Sequence, residues 1–206
     1  MINETERQAD RRTIIVHAAR EAFFSSGYAG TSMSSIAAKV GGSKTTLWSH
    51  FASKEALFTA VVDDLVERYG RAMEVPLDPA LELPEALRLW GAGMMGIVMS
   101  PPVLTLHRMV IGEAGRFPEL GGAVFERGAR RGKERLAAWL AEAMAEGRVR
   151  GGEPMRAAQQ FAGMCQAGVY QAYLWGLKAR VTADEIAADV EAAVDSFVRS
   201  WGADAR

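Results

Sequence analysis

Residues 44–50, Lys44-Thr45-Thr46-Leu47-Trp48-Ser49-His50, hold side chains whose types and spacing suit hydrogen bonding to a duplex. At 100° per residue, Leu47 and Phe51 form an apolar i, i+4 pair that roots a short helix, and Thr45 and Ser49 point away from it. Thr46 and Trp48 flank that outer side, and His50 lies beyond Thr46. Small hydroxyl side chains let a helix backbone come close to base edges in the major groove of DNA, which is about 12 Å wide. Lys54 follows Ser53 at a helix start, where a cation opposes the helix dipole. A phosphate docked there explains such a lysine, and a solvated surface charge is the alternative. The helix starts at Thr31 and Ser53, each with a hydroxyl cap, would form a phosphate clamp with Lys44, His50 and Lys54, and Ser43, the cap of the third helix, is a further DNA-binding candidate. Trp48 reads equally well as a packed aromatic.

The elements that position these groups are helical. Ile15, Ala18, Ala19, Ala22 and Phe23 make one apolar face of a first helix, which Gly27 ends. Thr31 caps a second helix with Met33, Ile36, Ala37 and Val40 inward. Gly41-Gly42 stops it, and Ser43 caps the third. A fourth helix follows Ser53 and carries Leu57, Phe58, Val61, Val62, Leu65 and Val66 to about Met73. Short helix, two-glycine turn, short helix is a helix-turn-helix spacing. After a linker around Val75-Pro76-Leu77-Asp78-Pro79, helices are expected over about 81–99, from Ser100-Pro101 to near Gly115, and from Phe117-Pro118 to about Glu146. An eighth covers the uncharged stretch 157–177, and a ninth starts at the capping box Thr182-Ala183-Asp184-Glu185. The expected fold is all-α, about nine helices, divided as a helix-turn-helix domain over 1–56 and an effector-binding and dimerisation domain over 57–206.

Composition narrows the function. The chain has 206 residues, 49% of them hydrophobic, with 24 Lys plus Arg against 25 Asp plus Glu. A net charge of -1 gives no general polyanion-binding field, so nucleic-acid binding must come from a local patch. Residues 1–60 hold seven Lys plus Arg and five Asp plus Glu. The lone Cys165 excludes a disulfide framework and a multi-cysteine zinc site, and fits a reducing, cytoplasmic setting. His17, His50 and His107 lie far apart without metal-ligand spacing, and no serine-centred nucleophile elbow occurs. Gly91-Ala92-Gly93-Met94-Met95-Gly96 spells a dinucleotide fingerprint, but it sits inside a helical pattern with no strand before it. No cofactor, metal or catalytic group is expected. The stretch 89–107 is broken by Pro101-Pro102, and 157–177 carries four glutamines, so neither reads as a membrane span. The run Arg127–Arg135 reads as a solvated helix face, because Glu126 and Glu134 offset it. An all-α enzyme and a protein-interaction module are the rival classes.

The N-terminal residues Ile15-Val16-His17-Ala18-Ala19, Phe23, Gly27-Tyr28, Thr31-Ser32-Met33, Ile36-Ala37, Gly41 to Phe51 and Ser53-Lys54-Glu55-Ala56-Leu57 resemble the DNA-binding domain of the tetracycline-repressor (TetR) family. Residues 81–200 resemble its AefR-like subtype, through Arg108-Met109-Val110-Ile111-Gly112-Glu113-Ala114-Gly115-Arg116-Phe117-Pro118-Glu119-Leu120. The resemblance implies a homodimeric transcriptional repressor released from its operator by a small ligand. It implies phosphate contacts at His50 and Lys54. Three positions depart from the family pattern. Gly42 stands in place of an aliphatic residue, Thr45 in place of Gly or Ala, and Trp48 in place of a Tyr that bonds phosphate. The indole N–H of Trp48 retains a donor there.

In the C-terminal half, small residues in the eighth helix, including Ala167, permit close approach of helices. Val190, Val194, Phe197 and Trp201 line one side of the ninth. Paired with a second subunit, these two helices would form a four-helix bundle, and an intrachain core is the alternative. The resemblance favours the dimer. Two recognition helices would then meet half-sites about 34–36 Å apart on a near-palindromic double-stranded operator. Trp90, Met94 and Met109 are soft or aromatic linings for an apolar effector, with His107, Gln166 and Tyr170 as polar anchors. Each reads otherwise as core. Gly91, Gly93 and Gly96 make room for a ligand or for close helix packing. The helix from Pro101 is the expected lever between ligand and DNA, an assignment taken from the resemblance.

Overall fold

The computed structural model describes residues 4–41, 44–70 and 77–203, with side chains from Asp10 onward among residues 4–41. Gly42, Ser43 and the linker residues Val75-Pro76 lie outside the described residues. The described residues are all-α, with a single isolated bridge between Val149 and Gly202 and no strand. Two compact units emerge. One holds the described residues of Met1–Arg68 and Thr105–Arg127, and the other those of Tyr69–Leu104 and Gly128–Arg206.

In the first unit, α1 (Glu4–Gly30) bends at Gly27, where φ is 72° and ψ 169°. The left-handed φ suits a residue without a Cβ. α2 (Met33–Val40) starts on Ser32, not on Thr31. The Ser32 hydroxyl accepts the Ser35 N–H at 3.0 Å, and the Ser35 hydroxyl accepts the Ser32 N–H at 3.1 Å. This reciprocal cap satisfies two helix-end donors. Gly41 ends α2 in the left-handed conformation, φ 65°. α3 (Lys44–His50) and α4 (Lys54–Tyr69) follow, and the Ser53 hydroxyl accepts the Ala56 N–H at 3.1 Å to open α4. Ile15, Ala19, Phe23, Ile36, Leu47, Phe51, Leu57, Phe58 and Val61 are all buried. Phe23 stacks on Tyr28, and Phe58 packs edge-on against both, at 5.5–5.8 Å between ring centroids.

The second unit is built on α5 (Leu83–Val98), α8 (Arg130–Ala145), α9 (Pro154–Cys165) and α11 (Ala183–Trp201). Their core runs through Leu87, Met95, Leu140, Phe161, Val194 and Phe197. The stretch 77–82 is tied down by the Trp139 indole N–H to the Asp78 carbonyl (3.0 Å) and by Arg148 to the carbonyls of Leu81 and Pro79 (3.1 and 3.0 Å). α11 opens on the expected capping box, with Glu185 N–H donating to the Thr182 hydroxyl at 3.2 Å.

Two long helices differ from expectation. The run from Pro118 is α7 (Pro118–Val124), then a π turn over Phe125–Ala129, then α8. The stretch 157–177 is not one helix. α9 stops at Cys165, and α10 (Val169–Leu174) restarts after Gly168, where the Asp189 carboxylate accepts the Val169 N–H at 2.7 Å. A carboxylate from α11 caps the new start, an event no local periodicity announces. No single helix among the described residues is long and apolar enough to cross a membrane. Gly91–Gly96 lies inside α5, without the strand that a dinucleotide site requires. A Cβ on Gly91 would meet Val190 Cγ1 at 3.0 Å, so this glycine serves close packing of α5 on α11.

Candidate nucleic-acid interface

α3 owes its attachment to two side chains. Leu47 is 2% exposed and Phe51, just past its end, 4%. Seven residues make only two turns, so two buried anchors leave the opposite side free. Lys44, Thr45, Trp48 and Ser49 are exposed there, and Thr46 and His50 are half-buried at its margins. Trp48 is 50% exposed, so the structure decides against a core role for this ring. The Ser49 hydroxyl donates to the Thr46 carbonyl at 2.8 Å, which leaves its oxygen lone pairs outward. The surface is narrow, hydroxyl-bearing and flanked by one aromatic donor. The Arg12 guanidinium of α1 stands 5.1 Å from the Phe51 ring centroid, at the C-terminal end of α3. Arg12 is absent from the site residues expected from sequence, since its position on α1 relates it to α3 only in three dimensions.

Of the expected phosphate contacts, Thr31 needs correction and Lys54 has partners within the protein. Thr31 is 3% exposed, and its hydroxyl donates to the carbonyls of Ala22 (3.1 Å) and Gly27 (2.7 Å), closing the bend of α1. It does not cap α2 and presents no hydroxyl to a ligand. Lys54 reaches away from its own helix start. Its ammonium donates to the carbonyls of Tyr28 (2.8 Å) and Thr31 (3.0 Å) and lies 4.1 Å from the Tyr28 ring centroid. A cation is favourable against carbonyls and an aromatic face, so the lysine is satisfied by the protein itself. Burial pushes the Tyr28 hydroxyl pKa upward, with Glu55 and Glu119 adding to the shift. The Ser53 hydroxyl, followed by backbone hydrogen bonding, lowers the pKa of Glu55.

Family comparisons agree with this geometry. Residues 15–61 match the model for bacterial regulatory proteins of the tetR family. Residues 85–203 match the AefR-like transcriptional repressor C-terminal domain. The chain belongs to the TetR family. No curated protein matches it. A TetR-family transcriptional regulator from Mesorhizobium loti is 30% identical, with TM-score 0.80, over 95% of this chain and 98% of that one. The flavonoid-responsive regulator FrrA is 31% identical, with TM-score 0.83, over 96% of this chain and 100% of its own. A TetR-family regulator from Pseudomonas syringae is 29% identical, with TM-score 0.75, over 93% and 96%. The family consists of DNA-binding transcriptional regulators rather than enzymes, and its helix-turn-helix is α2–α3 here.

In this TetR-family chain the other expected site residues divide. Trp90, Met94 and Tyr170 belong to the core of the second unit. The Trp90 indole N–H donates to the Gly132 carbonyl (3.1 Å), and the Gln166 amide contacts the Met94 sulfur (3.5 Å). His107 and Met109 fall in the first unit. Burial lowers the His107 imidazole pKa and raises that of the Tyr170 phenol. Three expected interface residues need correction. Val190, Val194 and Phe197 are 4%, 1% and 0% exposed within the single chain, so they fill its own core and cannot face a partner. Trp201 is half-buried, stacks on Phe197 at 6.0 Å and donates to Gln160 at 3.0 Å. Ala167 is exposed. The open side of α11 is instead Ala188, Ala192, Asp195 and Arg199, at helical spacing. The basic run is surface-paired in part, with Arg127 on Asp63 and Arg130 on Glu134, each at 2.8 Å.

Proposed function

We propose that the chain is a homodimeric repressor that reads a near-palindromic duplex with α3 and leaves it when a small, mostly apolar effector binds. DNA reading belongs to residues 1–56, and effector binding and dimerisation to 57–206. The observation that carries this reading is the exposed face of Thr45 and Ser49 above the buried Leu47 and Phe51. Thr45 and Ser49 contact base edges. Lys44, Thr46, Trp48 and His50 contact phosphates, joined by Arg12. Ser43, next to Lys44 in the sequence, also belongs to the DNA-reading residues. Lys54 shapes the head rather than touching DNA.

The dimer forms through exposed small residues, Gly163 and Ala167 near the end of α9 and Ala188 and Ala192 on α11, which allow close helix approach. The effector contacts Trp90, Met94, Gln166 and Tyr170, displacing the weak amide–sulfur contact between Gln166 and Met94. The lever of release is α6 (Pro101–Glu113), which carries His107 and Met109. The flavonoid response named for FrrA supports flat polyphenols as the first effector class to try. Selection from a random duplex library tests the function. The expected product is a near-palindrome with half-sites one helical turn apart, bound by a species of twice 22.3 kDa and released by a flavonoid. A library that emerges unenriched defeats the repressor reading. Enrichment without release by any flavonoid defeats only the effector class.

A further inference from the structure

The joint between α1 and α2, Gly27–Thr31, is gripped by side chains far away in sequence. Glu113, the last residue of α6, accepts the Tyr28 N–H at 2.6 Å with one carboxylate oxygen and the Ala29 N–H at 2.7 Å with the other. Lys54 holds the opposite polarity of the same joint, the carbonyls of Tyr28 and Thr31. The bend at Gly27 starts a new turn at Tyr28, and the first N–H groups of a helical turn need acceptors from outside it. The carboxylate supplies one. A Cβ on Gly27 would lie 2.7 Å from a Glu113 oxygen, so glycine serves both the positive φ and the approach of the carboxylate. Phe117, just beyond α6, packs edge-on against Tyr28 at 5.0 Å. The Tyr28 ring is buried, and the Lys54 ammonium lies against its face.

We propose that Glu113 is a positioning residue for DNA reading: its two-oxygen grip on Tyr28 and Ala29 fixes the joint that orients α2 and α3. The proposal rests on the DNA-reading role assigned above. Charge-assisted hydrogen bonds are shorter and roughly twice as strong as neutral ones. A glutamine cannot replace this grip, because it offers one acceptor oxygen and turns an N–H₂ toward the second donor. Since Glu113 ends α6, a shift of that end alters the grip directly.

The test uses full-length wild type and Glu113→Gln, with Glu113→Asp in its place should the amide variant fail to fold. Three quantities are measured: hydrogen exchange at the Tyr28 and Ala29 amides, affinity for the duplex that the wild type selects from a random library, and affinity for an unrelated duplex of equal length. The variant should exchange these amides at least tenfold faster and bind the selected duplex about tenfold more weakly, as loss of a charged hydrogen bond implies. Binding to the unrelated duplex and its salt dependence should not change, which separates positioning from phosphate contact. Unchanged exchange removes the grip. Faster exchange with an unchanged ratio between the two duplexes reduces Glu113 to a local cap, and tighter binding to the selected duplex reverses its role. A wild type that selects no duplex sinks the DNA-reading assignment and this proposal together, whereas equal selection by both proteins sinks this proposal alone.

Discussion

α3 and α11 both carry apolar residues at helical spacing, yet the spacing leads to opposite outcomes. On α3 the buried side is Leu47, with Phe51 just beyond, and the outer residues stay open to solvent. On α11, Val190, Val194 and Phe197 face the core of their own chain, and the face left open is the one with alanines. Periodicity tells which side of a helix leaves water. It does not tell whether the covering surface belongs to the same chain or to a second copy. In a short helix of the head the covering elements are sequence neighbours, so the ambiguity is small. In α11 they are α5 and α9, and the ambiguity is complete.

The contrast can be broken most strongly in the second unit. Phe161→Ala should lower unfolding stability by about 3–5 kcal/mol, because Phe161 is fully buried and packs on Trp90 and Phe197. Chemical denaturation would expose the error if the loss were below about 1 kcal/mol. A finer division follows on α11. Ala192→Arg should weaken the dimer by roughly 1–3 kcal/mol with little change in monomer stability. Val194→Ala should destabilise the fold and spare the association constant. Sedimentation at several concentrations decides between them, and the reverse pattern would return the dimer to the Val194 face.

In the head, Ser49→Ala and Arg12→Ala should leave stability nearly alone. Ser49→Ala is expected to cost about 1–3 kcal/mol of discrimination at one base pair, and competition with single-site duplex variants reads it. Unaltered preference at every position moves base reading away from Ser49. Arg12→Ala should reduce the salt slope of binding by about 0.9, the signature of one lost phosphate contact, whereas Lys54→Met should lower affinity without altering that slope. A drop in slope for Lys54→Met restores it as a phosphate ligand.

The smallest effect is on pH dependence. Burial holds His107 below its ordinary value of 6.5. Its contribution to stability is complete above that value, where the ring is neutral in both folded and unfolded chains. It is lost as pH falls through the lower folded value, because only the unfolded ring protonates readily. Melting temperatures of His107→Gln should therefore fall less than wild type below pH 6.5, and parallel curves would contradict the burial effect.

Much of the architecture was legible along the chain. The Thr182 capping box, the proline opening α6 and the Leu47–Phe51 pair were each readable within four or five residues, the range over which caps and helix faces act. The family pattern extended that reading to the helix-turn-helix. Other features were hidden. Thr31 and Ser32 are adjacent hydroxyl residues, and only the bend of α1 turns the first inward and leaves the second to cap α2. Lys54 at a helix start looked electrostatically wrong because its carbonyl partners lie 23 and 26 positions away.

Helix content, the turn at Gly41 and the outward hydroxyls of α3 follow from interactions between near neighbours, and any fold of this chain would inherit them. The break at Gly168, the inward side of α11 and the grip of Glu113 on Tyr28 do not follow from neighbours. They depend on which distant carboxylate or aromatic ring arrives at a given backbone group, in the case of Glu113 across 85 positions. Close packing selects those arrivals, and it exists only once the helices have assembled.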